Sequence, residues 1–503
     1  MQLIIIVLYF ALTVVIGVMS MKKSKSSDSF HGASMGMFAI VAASAGEWLG
    51  GTATTGVSEY SFNHGLAGAW YTIGNGIGVM FLALCFAKLY RSLNTVTVPG
   101  IIEKFFGVNA RTVSSILLTV AMLAVGLAQM IAAGKLGESI MNILGFDVPH
   151  IFVYTVVVFA IIFIVYTLAG GMNAVASTNK LHLFVMYGGV ILALFFVLPK
   201  IGGIGQLVPQ VKELQATDGK DYFNLFSGEK GVRGFAVSQI LASLLGACTA
   251  QAGIQPILAA KNVSSAKKAC IITACVAAPF GLLTGLLGIV AKVMSHNGDL
   301  LNGAGVNVVD GKLALFTLMQ NVNPIIGGLV LSAILAAILS TVSPIILSSG
   351  TMITKDLYQR VLRPNATDKQ VLKMSRITTA IAGVVCALGA IALVNASEVL
   401  TIVKAAYSLR GALFVVVLFG IYWKKASEKG ACVSMILTAA VAVFWKGYYI
   451  ATTVKDEFGK VVTDGHYPIS NVIEDTYAAV AVALVATIVF SLVFPKKDNR
   501  RAA

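Results

Sequence analysis

Charge is scarce in this chain: only 12% of its 503 residues are Asp, Glu, Lys or Arg, against about 25% in a soluble domain. A single soluble core also stops growing near about 250–300 residues, so one large water-soluble globule is excluded. Cysteine is sparse too. The six (Cys85, Cys248, Cys270, Cys275, Cys386 and Cys432) fall within apolar stretches and show no CxxC spacing, which indicates neither a disulfide framework nor a zinc site. The six histidines (His31, His64, His150, His182, His296 and His466) are scattered, and none pairs at metal-ligand spacing. An enzyme needs a nucleophile with a base, or a metal cluster, and neither is legible. What the chain has in abundance is apolar surface, with 57% of its residues hydrophobic.

A membrane-spanning helix takes about 20 mostly apolar residues. Thirteen stretches meet that requirement, the first near 2–19 and the last near 477–495. The expected fold class is therefore an all-α polytopic membrane protein, with the lipid bilayer as its solvent. The formal charge of +15 would suit a nucleic-acid partner if it lay on one aqueous face, but the basic residues sit singly or in short clusters between apolar runs. Topology accounts for them through the excess of Lys and Arg in inner loops. The loop with Lys355, Arg360, Arg363, Lys369, Lys373 and Arg376 reads as inner, and the acidic loop with Asp456, Glu457, Asp464, Glu474 and Asp475 reads as outer. That places the N-terminus outside and the C-terminus in the cytoplasm, in a plasma (inner) membrane. The first stretch does not read as a cleavable signal, because Lys22, Lys23 and Lys25 follow it rather than precede it.

Two of the apolar stretches carry break signals. VAASAGEWLGGTATTGVSEY, at 41–60, holds Gly46, Gly50, Gly51 and Gly56 among hydroxyls; LASLLGACTAQAGIQPILAAKN, at 241–262, holds Gly246, Gly253 and Pro256 around Thr249, Gln251 and Gln255. Small residues can simply allow close helix packing. Interrupted helices at matching positions in two halves instead point to a transporter with inverted repeats and a midplane binding site. Ser340, Thr341 and Ser343 lie together in the ninth stretch with no charge nearby. Such hydroxyls can bond back to their own helix, or, facing the freed carbonyls of a broken helix, form an oxygen cage for a hard cation.

At these residues the chain resembles the sodium:solute symporter family, which includes proline, sugar, sialic acid, pantothenate and choline cotransporters. The resemblance rests on AAILSTVSP at 336–344 with Asp356 and Tyr358, on YTLAGGMNAVASTN at 166–179, and on QPILAAKNVSSAKKA at 255–269. TVPGIIEKFFG at 97–107 and FGIYWKKASEKGA at 419–431 add to it. It implies a LeuT-like core of five plus five helices in inverted repeat, at 36–200 and 234–422, joined by an outer loop at 201–233. An extra helix and basic inner loop at 1–35 precede the core, and two helices with a short tail follow at 423–503.

The resemblance also implies a Na+ site formed by the carbonyls of Ile40 and Ala43 at the first break, the carbonyl of Ala337, and the hydroxyls of Ser340 and Thr341. Three departures bear on coupling. Asn179 stands where the family commonly has Asp, Pro344 stands where some members supply a hydroxyl, and Lys180 follows Asn179. The first two imply at most one sodium ion. Lys180 either snorkels to the interface or lends its ammonium in place of a cation, in which case proton coupling or exchange replaces sodium.

A solute is expected between the two breaks, within reach of Glu47, Trp48, Tyr71, Gln251, Gln255, Tyr407 and Arg410. Glu47 and Glu59 read as the only carboxylates within the helices, and Arg410 as the only arginine. An ionisable group within the membrane is a functional hypothesis by default. Glu47 and Arg410 could pair as a structural brace; otherwise Arg410 favours an anionic group on the solute, Glu47 favours an amine, and the aromatics could stack on a cation. A small organic acid or amino-acid-like zwitterion comes first, and a quaternary amine second. A channel would be expected to show charge rings or filter repeats, and no signalling domain supports a transporter-like sensor.

Overall fold

A computed structural model describes residues 2–20, 26–32, 35–143, 148–226, 230–303, 305–394, 399–455, 461–463, 465–471 and 473–496. Lys22, Lys23, Lys25, Asp456, Glu457 and Asp464, on which the orientation partly rests, lie outside the described residues.

In lipid, backbone polar groups must be satisfied within the chain itself, and the described chain is almost wholly helical. α1 (Gln2–Met19) leads to the short α2 (Ser27–His31). α3 (Met37–Trp48) breaks at Leu49 and Gly50 and resumes through a π-helical turn, Thr52–Gly56, into α4 (Val57–His64). Gly65, at φ +71°, turns the chain toward α5 (Trp70–Phe81) and α6 (Ala87–Ser92). Thr97 caps α7 (Val98–Phe106), which precedes the long α8 (Val108–Ile143). α9 (Ile151–Val197) is broken at Gly171, whose φ of +54° no helix interior adopts.

α10 (Ile204–Asp218) is followed by α11 (Lys230–Gly246), the second break at 247–250, and α12 (Gln251–Leu258). Next come α13 (Val263–Ala277), α14 (Phe280–His296), α15 (Gly311–Gln320) and α16 (Pro324–Thr351), the last continuing as a π-helix over Met352–Leu362. A capping box of Thr367 and Gln370 opens α17 (Asp368–Leu393). α18 (Val399–Tyr422), α19 (Glu428–Thr452) and α20 (Asp475–Val493) complete the set. A small antiparallel ribbon of β1 (Val454–Lys455) and β2 (Val461–Thr463) lies in the loop between α19 and α20 of the expected all-α fold.

Among the described residues, eleven helical segments are long and apolar enough to cross a membrane. The sequence count of thirteen takes in two more, and the helices that carry them, Gln2–Gly17 and Met37–Trp48, are apolar but shorter. α16 lies at the centre of the bundle: every residue from Val330 to Met352 is buried, as expected of a helix that is apolar on all sides. Its closest partner is α9, and α1, α3, α8 and α17 also pack on it.

Both expected breaks are present, but the first falls at Leu49–Gly50, so Ile40 and Ala43 lie inside the regular part of α3 rather than at its end. A second difference concerns charge. α8 runs on to Ile143 and takes in Arg111 and Glu138, and the extension of α16 takes in Asp356 and Arg360. Glu47, Glu59 and Arg410 are therefore not the only acids and arginine on long helices. Apolar runs underestimate helix length because polar residues at the ends still continue the helix.

Candidate functional site

Glu47, in the last turn of α3, and Arg410, midway along α18, meet in the centre of the bundle. Arg410 Nη1 donates to Glu47 Oε1 at 2.7 Å and to the Met122 sulfur at 3.4 Å, and both charged side chains are fully buried. The guanidinium lies 3.9 Å from the centre of the Tyr407 ring. Tyr407 in turn reaches the Tyr71 hydroxyl at 3.3 Å and meets Trp48 edge to face, with ring centres 6.5 Å apart. Hydroxyls of both broken helices tie the cluster to backbone carbonyls. Thr249 Oγ1 donates to the Arg410 carbonyl at 2.7 Å, and Ser44 Oγ donates to the Gly253 carbonyl at 2.9 Å. Gly253 lies flat against the Trp48 indole, where a methyl group would come within 2.7 Å of the ring.

This cluster has unfilled hydrogen-bonding capacity. Arg410 Nε and Nη2, Glu47 Oε2 and Trp48 Nε1 are buried without a partner, in a structure class where buried polar groups are nearly always paired. Arg410 Nε and Nη2 are the adjacent donors that point the same way, the fork that grips a carboxylate with two parallel bonds. Arg360 turns that same pair of nitrogens onto Glu103, at 2.8 and 2.6 Å. At Arg410 the fork is free.

A second set of oxygens gathers where α3 crosses α16. Thr341 Oγ1 donates to the Gly46 carbonyl, Ser340 Oγ donates to the Ala337 carbonyl at 2.8 Å, and Asn179 Nδ2 donates to the Ser340 carbonyl at 3.1 Å. Asn179 Oδ1 is buried without a partner. A methyl group on Gly46 would overlap the Asn179 amide and the Ser340 carbonyl, and one on Gly50 would overlap the Thr341 hydroxyl. Glycine is what lets the helices approach this closely. Hydroxyl, carbonyl and amide oxygens suit a hard cation. The carbonyl of α3 that meets this cluster belongs to Gly46, while those of Ile40 and Ala43 lie in regular helix.

A third polar group closes one end of the bundle. Asp356 Oδ1 accepts from Thr97 Oγ1 at 2.7 Å, from Arg111 Nε at 2.8 Å and from Arg111 Nη2 at 2.6 Å. Arg111 Nη1 pairs with Glu103, which also takes Arg360. Partial burial would raise the Glu103 pKa, but the hydrogen bonds from Arg360 and Arg111 outweigh it and hold the carboxyl below its ordinary range. Gln251 joins this rim through the Val98 N–H at 2.7 Å and the Val96 carbonyl at 3.2 Å. Gln255 donates to the His31 carbonyl at 3.3 Å and to Thr351 Oγ1 at 3.4 Å. The His31 ring bridges Thr351, at 3.0 Å, and Ser375, at 3.2 Å.

The model of the sodium:solute symporter family matches residues 30–438. The chain belongs to that family. It is 30% identical to the high-affinity proline transporter of Bacillus subtilis (strain 168), covering 81% of this chain and 84% of the relative. It is 24% identical to a sodium/glucose cotransporter of Vibrio parahaemolyticus, covering 78% and 74%. A solved structure of a substrate-bound, outward-open Na+-coupled sialic acid symporter superposes with a TM-score of 0.78 at 19% identity, over 99% of each chain. A nucleobase-cation-symport-1 family transporter in a closed conformation superposes at 0.57, with 12% identity over 93% and 94%. The fold is thus the LeuT-like one of the sodium symporters.

In this symporter, five of the seven expected solute residues come together: Glu47, Trp48, Tyr71, Tyr407 and Arg410. Gln251 and Gln255 do not join them; their amides are engaged at the rim. Lys180 is apart from the cation-type oxygens, its ammonium lying 5.7 Å from the centre of the Phe38 ring, and Phe38 is exposed. Lys404 pairs with Glu474 and lies 5.3 Å from the Phe235 ring centre. Sequence reasoning missed Met122, the Gly46 carbonyl, Arg111 and His31. Only the charge of Arg111, just before an apolar run, was a usable signal. Among the described residues no cluster of three His, Cys, Asp or Glu could hold a metal.

Proposed function

We propose that this protein is a sodium-coupled symporter that carries a small solute bearing a carboxylate and an N–H-bearing amine, by alternating access around the Glu47–Arg410 pair. The observation that carries this reading is the free Nε/Nη2 fork of Arg410, buried beside the free Oε2 of Glu47. An arginine that only braced a carboxylate would gain most by turning that fork onto it; this one offers a single nitrogen. A solute carboxylate completes the fork, and a solute ammonium completes Oε2. Such a zwitterion replaces the water its charges lose on entry. A plain organic acid would leave Glu47 Oε2 unfilled, and a quaternary amine has no N–H to give it. The proline transporters among the relatives are consistent with this class.

One sodium ion is assigned to the oxygens around Ser340, Thr341, Ala337 and the α3 carbonyls, with Gly46 replacing Ile40 and Ala43 as the nearest donor. The missing carboxylate at Asn179 argues against a second. Lys180 gives little support to sodium-independent coupling, since its ammonium rests on Phe38. Sodium entering between α3 and α16 would tie the first broken helix to the centre of the bundle, and solute entering at the pair would tie α3 to α18. Release then requires the rim of Gln251, Gln255, Arg111 and Asp356 to part. The orientation remains N-terminus outside, with the rim cytoplasmic. The test is uptake into proteoliposomes of a panel of amino and imino acids, their N-trimethyl forms and their deaminated acids, with and without a sodium gradient. The reading requires sodium-driven accumulation of N–H-bearing zwitterions only; accumulation of the deaminated acids alone would overturn it.

A further inference from the structure

Outside the transport path, a cleft opens between α18 and α20. Its volume is about 510 Å³, and it is lined by Leu418, Phe419, Trp423, Leu484 and Ile488, with Tyr422 at its mouth. Ala479 and Ala483 let α20 close onto Ala412 and Val415 of α18 further along, and the two helices part over the bulkier side chains beyond. Val489 and Leu492, on the same helix, are exposed in a part of the chain apolar enough to lie within the bilayer. Tyr422 is 73% exposed, and Trp423 packs edge to face on Phe419 with ring centres 5.5 Å apart. Aromatics of this kind at a helix end mark headgroup level.

Immediately past the mouth come Lys424, Lys425 and Lys429, and past the end of α20 comes Lys496, all exposed. Among the described residues none of the four forms an ion pair; the nearby Glu428 is turned to the Asn109 N–H, at 2.8 Å. We propose that the cleft holds one acyl chain of an anionic phospholipid, whose phosphate rests on Lys424, Lys425 and Lys496. Apolar walls ending in unpaired lysines match a molecule that is apolar over its length and anionic at one end. Basic pockets between membrane helices bind anionic headgroups in this way. A zwitterionic lipid would fill the walls without answering the charge.

Each lysine near an anionic headgroup contributes about 1 kcal/mol, a factor of about 5 in affinity. The protein is reconstituted into phosphatidylcholine vesicles that contain rising fractions of lipid brominated on its acyl chains, either phosphatidylglycerol or phosphatidylcholine. Quenching of Trp423 is read as the difference from Trp423→Phe. Half-quenching is expected at a fraction at least fivefold lower for phosphatidylglycerol. In the variant Lys424→Gln/Lys425→Gln/Lys496→Gln, whose changes are all at exposed positions, the two curves should coincide. Coincident curves in the unaltered protein would overturn the proposal, leaving a cleft that sees bulk lipid. Absence of quenching by either lipid would overturn it too, because a second copy of the chain would then cover Trp423.

Discussion

Arg111 and Arg410 each meet a buried carboxylate, yet Arg111 engages all three of its nitrogens and Arg410 engages one. At the rim, Arg111 binds Asp356 through Nε and Nη2 and Glu103 through Nη1. At the centre, Arg410 holds Glu47 through Nη1 and leaves Nε and Nη2 buried without a partner. The rim is the geometry of a chain holding itself together. On the proposed function, the centre is left to hold a solute, because each buried donor without a partner costs about 1–3 kcal/mol that a bound carboxylate would recover.

The largest effect is expected where that contrast is sharpest. Glu47→Gln or Arg410→Gln alone strands a buried charge, which costs about 3–5 kcal/mol; thermal unfolding should register the loss, and solute binding should vanish. The double variant Glu47→Gln/Arg410→Gln has no stranded charge and should regain most of the stability while still failing to bind solute. Sodium-driven uptake by the double variant would mean the pair is only a brace.

At the rim the expectation is reversed. Asp356→Asn weakens hydrogen bonds to a charged partner, each worth about 1.5–3 kcal/mol, and should loosen that end of the bundle without changing what is bound. Thr351→Cys, in a background with the exposed Cys85 and Cys275 replaced by Ser, should react with a water-soluble maleimide at least tenfold faster when Asp356→Asn is added. Solute affinity should stay within about threefold. An unchanged labelling rate would show that the Arg111 network is no barrier.

His31 supplies the next step down. Burial, and then the charge of Lys355, push its imidazole down to about 3 from 6.5. A lowered pKa means the folded state takes up a proton less readily than the unfolded one. The rim's stability is therefore full above pH 6.5 and is lost as pH falls toward 3. At pH 5.5, one unit below the reference value, the loss is about 1.4 kcal/mol. His31→Gln, which can still bond Thr351 or Ser375, should remove that slope from the pH dependence of thermal stability; an unaltered slope would locate it elsewhere.

The two regions also differ in how much of them could be read from sequence. A charge within an apolar run is conspicuous, so Glu47 and Arg410 stood out, and glycines with hydroxyls marked both broken helices. Nothing local tells that Gln251 and Gln255 reach the rim, because their partners Val96, Val98, His31 and Thr351 are brought near only by folding. Asp356 and Glu103 lie in stretches that carry the family resemblance, but nothing local shows that Arg111 joins them, since it sits just ahead of an apolar run in a helix that outruns that run. The first break is legible in Gly46, Gly50 and Gly51, and it falls at Leu49–Gly50, whereas the resemblance puts the carbonyls of Ile40 and Ala43 there although the helix is regular at both.

The smallest effect is expected at Lys180, and it separates two neighbours on one helix. Asn179 turns inward, with Nδ2 on the Ser340 carbonyl and Oδ1 buried and free, whereas Lys180 lies over the exposed Phe38 ring. Lys180→Ala removes a side chain of the kind whose loss typically changes stability by no more than about 0.5 kcal/mol, so the sodium concentration for half-maximal uptake should move less than about twofold. Asn179→Asp puts a carboxylate beside the oxygens of Ser340 and Thr341 and should lower that concentration severalfold. If Lys180→Ala instead made uptake depend on sodium for the first time, the ammonium would be the coupling cation, and the oxygens around α16 would bind no sodium in the unaltered protein.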